Sequence, residues 1–119
     1  MTAPVRLQLS RKAGFNLQAL SREVNGLPAR KVDRSTGYGN PWSINRHESG
    51  RWYVDGPGTA PRGIVCANEE GARVVAVDLF RKEALRLGVS NALRGHNLAC
   101  WCAPAAPCHA DVLLEIANR

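Results

Sequence analysis

No stretch of this 119-residue chain approaches the roughly 20 consecutive apolar residues needed to cross a bilayer. Met1 to Ser10 alternate apolar and polar side chains and lack the apolar segment of a secretory signal. These two absences remove the membrane from the expected partners and predict a cytoplasmic location. No internal repeat or low-complexity tract is present, which argues against solenoids and disordered tails. Neither a Walker phosphate loop nor the dinucleotide-binding fingerprint occurs, so any phosphate site must be built some other way. Acidic residues are scarce in the first half, where residues 1–62 hold only Glu23, Asp33, Glu48 and Asp55.

Against those four acids stand ten Lys and Arg, whereas residues 63–119 carry six of each sign. The whole net charge of +6 therefore lies in the first half. Thirteen of the sixteen basic residues are Arg, whose planar fork suits phosphate and carboxylate. An anionic partner, nucleotide or nucleic acid, is one inference, and a merely soluble basic surface is the other. The length fits one domain, residues 1–119, with room for a modest core, and a hydrophobic share of 45% is ordinary for a globular protein.

Val5 to Leu9 alternates with period two and reads as a strand. Asn16 to Val24 reads as a helical turn or two, and Asn25-Gly26-Leu27-Pro28 as a turn. Ala29 to Arg34 reads as a short strand, polar enough for a sheet edge. Residues 35–63 are rich in Gly and Pro and predict a loop-dominated stretch, with a brief strand at Trp52-Tyr53-Val54. Asn68-Glu69-Glu70 is a good helix start, and Ala72, Val75, Ala76, Leu79 and Phe80 carry the helix to about residue 82. Glu83 to Arg94 predicts a second helix closed by Gly95, with Leu85, Val89 and Leu93 on one side. Asn97 to Cys102 reads as a buried strand, and Val112, Leu113, Ile116 and Ala117 mark the buried face of a terminal helix. The expected fold is a small α/β domain: a short, mostly parallel sheet flanked by helices and ending in a strand–loop–helix unit.

Two constellations carry chemistry. In the first, Arg34, Ser35, Thr36, Gly37, Tyr38, Gly39, Asn40 and Trp42 follow a strand. Glycines let backbone approach a ligand, N–H groups and Arg34 suit an anion, and Tyr38 or Trp42 could stack on a ring. A plain tight turn with Trp42 in the core explains the same residues almost as well.

The second holds three of the four cysteines: Cys100-Trp101-Cys102, a Pro-rich loop, then Cys108-His109. Without an export signal, metal or reactive thiols are favoured over disulfides, and Cys66 stands apart as a buried or inert thiol. Three readings compete. Cys100, Cys102, Cys108 and His109 could hold a structural zinc, although this spacing is awkward for one tetrahedral ion. Cys108 could be a thiolate activated by a helix N-terminus, with His109 and Asp111 as catalytic partners. Adjacent residues on a helix diverge, so His96 or His47 is the better base for it. The third reading, narrowly ahead on spacing alone, makes the cysteines small buried hydrophobes.

Taken together, these residues resemble a phage and bacterial family known as domain of unknown function 4326. Leu93-Arg94-Gly95-His96-Asn97-Leu98-Ala99-Cys100-Trp101-Cys102 and Cys108-His109-Ala110-Asp111-Val112-Leu113 carry most of the resemblance. Gly39-Asn40-Pro41-Trp42 looks like the family's Trp-Gly-Asn-Pro-Phe, with Tyr38 and Trp42 departing from it. Arg6-Leu7-Gln8-Leu9-Ser10-Arg11-Lys12 with Gly14-Phe15 also resembles a family motif. The resemblance implies an α/β fold and supplies no function. Both constellations are expected beyond strand carboxyl ends, facing each other across one crevice. On that arrangement the chain is a nucleotide- or phosphosugar-binding domain, extending to an enzyme of nucleotide or nucleic-acid-base metabolism. The alternative is a basic, non-enzymatic nucleic-acid-binding protein stabilised by zinc.

Overall fold

The computed structural model describes residues 2–59 and 63–119; Pro61 and Arg62, read above as loop and as basic charge, lie outside the described residues. Among the described residues the elements run β1 (Arg6–Gln8), α1 (Leu17–Asn25), β2 (Ala29–Lys31), β3 (Ser43–Arg46), β4 (Trp52–Asp55) and β5 (Ile64–Cys66). Then come α2 (Glu69–Leu87), a 3-10 turn at Asn91–Leu93, β6 (Asn97–Cys100) and α3 (His109–Ala117). No described helix is long and apolar enough to cross a membrane.

The last strand is the centre of the first sheet. Its order is β1-β6-β2 and both pairings are parallel, so β2 is the edge strand its polar sequence predicts. All four residues of β6 are buried, because the sheet is covered on both faces. Leu98 and Cys100 face one side with Val32, Ala110 and Leu113, while Ala99 faces the other with Leu7, Leu9 and Ala29. The two-residue period of a strand thus divides β6 between two apolar clusters. Asn97 opens the strand fully buried. Its side-chain oxygen accepts from the Val5 and Asn25 nitrogens, and its amide donates to Ser21 Oγ and Asn25 Oδ1 at 2.7–2.9 Å.

A mostly parallel sheet holds for half of the strands only. The strands β3, β4 and β5 form a second, antiparallel sheet of that order, where composition predicts little beyond Trp52-Tyr53-Val54. Glycine and proline punctuate the turns of this meander rather than abolishing its strands. Gly56 and Gly63 show why: a Cβ at either would run into Trp42 or the Val54 carbonyl.

Helix α2 packs against the antiparallel sheet and against α3. Ala72 and Ala76 pack with Trp42 and Val54 of the antiparallel sheet, and Phe80 reaches both that cluster and the one around Leu98. Asn68 caps α2 by accepting from Gly71 N at 2.8 Å, followed by Glu69 and Glu70 in the first turn. The two helices expected over 68–94 are one helix. It runs unbroken to Leu87 and stops at Gly88, whose φ of 82° and N–H to the Ala84 carbonyl terminate it. Leu85, expected on a buried face, is half-exposed, while Val89 and Leu93 pack only after the helix has ended.

Candidate functional site

The carboxyl ends of β2 and β6 and the start of α3 meet at a crevice of about 300 Å³. Arg34, Asn40 and Trp42 line it from the first constellation, with Asp33 just before them. Cys100, Trp101, Cys102, Cys108 and His109 line it from the second, and Arg73 joins from α2. The parallel sheet makes this meeting, since β2 and β6 are neighbours running the same way and both leave at the same edge.

Only part of the first constellation reaches the crevice. Ser35, Thr36, Gly37, Tyr38 and Gly39, expected as ligand-binding residues, do not line it. Their polar atoms close the loop on itself: Ser35 Oγ donates to Asp33 Oδ1 at 2.6 Å and Thr36 Oγ1 donates to the Asp33 carbonyl at 2.9 Å. Neither Gly37 nor Gly39 uses a positive φ. Gly39 is needed for its size, because a Cβ there would sit 2.7 Å from Arg34 Cα. Tyr38 packs beside the Leu98 cluster. Asn40 lines the crevice while holding it open: its oxygen accepts from Trp42 N at 3.0 Å and its amide donates to the Ala76 carbonyl at 3.3 Å. Trp42 is buried, its indole N–H bonded to the Pro57 carbonyl. Arg34 is exposed, with one long bond to the Trp42 carbonyl at 3.5 Å, so its guanidinium is available to a ligand.

Trp101 sits at the rim. Its indole N–H donates to Asp33 Oδ2 at 2.9 Å, and the Arg11 guanidinium stands 5.0 Å over its ring. Hydrogen bonds from Ser35 and Trp101 hold the Asp33 carboxyl below the usual aspartate range.

The sulfurs of Cys100, Cys102 and Cys108 lie within 4.8 Å of one another, a spacing at which one metal ion can touch all three. Strand alternation does not produce this. The strand ends at Cys100 and the chain bends at Trp101-Cys102, bringing Cys102 round. Cys108 arrives in extended backbone as the N-cap residue of α3, 2.9 Å from Cys100 in sulfur-to-sulfur distance. That extended conformation also corrects the expectation that Cys108 and His109 diverge: His109 Nδ1 is 3.7 Å from Cys108 Sγ. The Cys108 thiol is drawn down by hydrogen bonds from the Cys100 and Cys102 thiols. Cys100 is pushed up because it is hydrogen-bonded to the other two sulfurs and buried.

His109 is buried, edge-on to Phe80 at 5.3 Å between ring centroids. Its Nε2–H donates to the Val32 carbonyl, just past the end of β2. The proton on Nε2 leaves Nδ1 as the free nitrogen facing the Cys108 sulfur. Asp111 does not orient this histidine. It faces away, 3.4 Å from Arg6, because the residue three places into a helix projects from a different side than the first. His47 and His96 do not reach the crevice either; they bond locally to Ser49 and the Arg94 carbonyl. Cys66 is half-buried on β5 and apart from the cluster.

Arg6 is the residue that sequence reasoning missed. From β1 it donates to the carbonyls of Ala103, Pro104 and Ala106, clasping the Pro-rich loop that joins the cysteines. Burial opposes its charge, yet Cys108 and Asp111 beside it keep it firmly protonated. A lone Arg in a strand alternation carries no signal of a partner about a hundred residues away.

A family model described as a domain of unknown function (DUF4326) matches residues 16–119. The chain belongs to the DUF4326 family. No curated protein and no solved structure matches it. The DUF4326 match takes in both walls of the crevice and starts after β1. Arg6 and the basic segment to Phe15 therefore lie outside the matched residues.

Proposed function

We propose that the crevice binds a small anionic ligand bearing a ring, a nucleotide or phosphosugar. One observation carries this reading: two arginines, Arg34 and Arg73, and two tryptophans, Trp42 and Trp101, line a single cavity at the carboxyl edge of a parallel sheet. Guanidinium groups supply paired donors for phosphate, and indole faces supply a surface for a flat ring. Arg73 is partly engaged by Glu69 at 2.7 Å, so Arg34 is the first anchor. The cavity, about 300 Å³, stands at the lower end of small-molecule sites, which favours one nucleotide over a dinucleotide.

A thermal-shift screen against mononucleotides and sugar phosphates tests this. A binding compound should raise the melting temperature, and Arg34→Ala should weaken it about 10–100-fold, the worth of a lost charge-assisted hydrogen bond. Binding unchanged by Arg34→Ala would end the proposal. So would no shift with any compound, together with salt-sensitive binding of longer nucleic acid; that outcome would move the anionic partner to the basic surface.

A further inference from the structure

We propose that Cys100, Cys102, Cys108 and His109 form a zinc site that ties the end of β6 to the start of α3. Three thiolates and one imidazole are ligands zinc accepts in structural sites. A tetrahedral ion with Zn–S bonds of about 2.3 Å sets its sulfurs about 3.8 Å apart, and the three sulfurs already lie within 4.8 Å of one another. Cys100 and Cys108, at 2.9 Å, need only separate slightly around an ion.

The histidine is prepared in the manner of metal-bound imidazoles. Its Nε2–H is anchored on the Val32 carbonyl, which fixes ring and tautomer and leaves Nδ1 toward Cys108 at 3.7 Å. Such an outer hydrogen bond is the usual companion of a ligating histidine. Binding releases the thiol protons, and three thiolates with Zn2+ leave one net negative charge. Arg6, held over the same loop by three carbonyls and lying between Cys108 and Asp111, offsets part of it. Zinc would close the Pro-rich loop between Cys102 and Cys108, which contains no helix or strand of its own.

The site is independent of the nucleotide reading, because its test uses no nucleotide. Full-length protein purified under reducing conditions should carry one zinc per chain by elemental analysis, and chelation should lower its melting temperature. Cobalt(II) added to the reduced, metal-free chain should give thiolate-to-cobalt charge-transfer bands with tetrahedral ligand-field bands. Cys102→Ser, at the least buried sulfur, should lose about a third of the charge-transfer intensity. His109→Gln should keep that intensity and shift the ligand-field bands; Cys66→Ser should change neither. Absence of zinc together with absence of cobalt bands in the wild-type chain would overturn the site, whatever the variants do. A Cys100–Cys108 disulfide found by alkylation and mass spectrometry in protein without metal would overturn it as well.

Discussion

At the scale of single residues, Asp33 shows how a side chain can serve the crevice without touching a ligand. It accepts from Trp101 and Ser35 and so fixes the rim on which Trp101 stands. Its carboxyl is held below the ordinary aspartate value of about 3.9 by those donors. A lowered carboxyl stabilises the fold fully above the unfolded-state value and ceases to do so as pH falls through the folded one. The stability difference between wild type and Asp33→Asn should therefore be constant near neutral pH and shrink below about pH 4. Thermal melts across that range check it; a gap that stays constant down to pH 2 contradicts the role. Residue-scale reading of the sequence succeeded where one side chain acts close to its own position, as at the Asn68 cap. It failed at Arg6, whose partners are set by the fold.

Among the elements, β6 decides most. Its apolar composition shows in the sequence, but its place between β1 and β2 depends on two pairings that span about 90 and 70 residues. The clasp at its start, Asn97 with Asn25, Ser21 and Val5, locks β6 to the end of α1 through hydrogen bonds of the buried Asn97 amide. Asn97→Ala would leave several of these partners unpaired, and we expect a loss of about 2–4 kcal/mol in urea unfolding. A loss under about 0.5 kcal/mol would show that water replaces the amide without cost. Helix α2 teaches the opposite lesson. Its beginning is legible in Asn68-Glu69-Glu70, whereas its end at Gly88 is not, since Leu85, Val89 and Leu93 continue a helical apolar spacing past the point where the helix stops. Periodicity reports a face only where another element covers it.

For the whole molecule, the two sheets act together through α2 and α3. Phe80 touches His109 and packs against the apolar clusters on either side of the helix. Phe80→Ala should cost about 3–5 kcal/mol, at the lower end because the ring is only half-buried, and should loosen the crevice wall carried by His109. Urea unfolding followed by Trp fluorescence gives the first number, and thiol reactivity of Cys108 reports the second. An unchanged thiol rate would mean that the Val32 bond alone holds His109. The same dependence explains the split fate of the candidate site. Asn40, Trp42 and Arg34 reach the crevice while Ser35 to Gly39 turn away, a division made by the loop closing on Asp33.

The sequence by itself determined the helix starts, the strands β1, β2 and β6, the edge character of β2 and the cysteine-rich turn into α3. These depend on local periodicity, capping and backbone chemistry, which act over a few residues. It also held the family resemblance in its Cys-Trp-Cys and Cys-His motifs. Only the tertiary structure decided the antiparallel sheet, the single long α2, the turning away of Asp111 toward Arg6 and the gathering of three sulfurs, one of them 3.7 Å from His109 Nδ1. Each of those depends on groups far apart in the chain, and their distances are set by how sheets and helices cover one another's apolar faces.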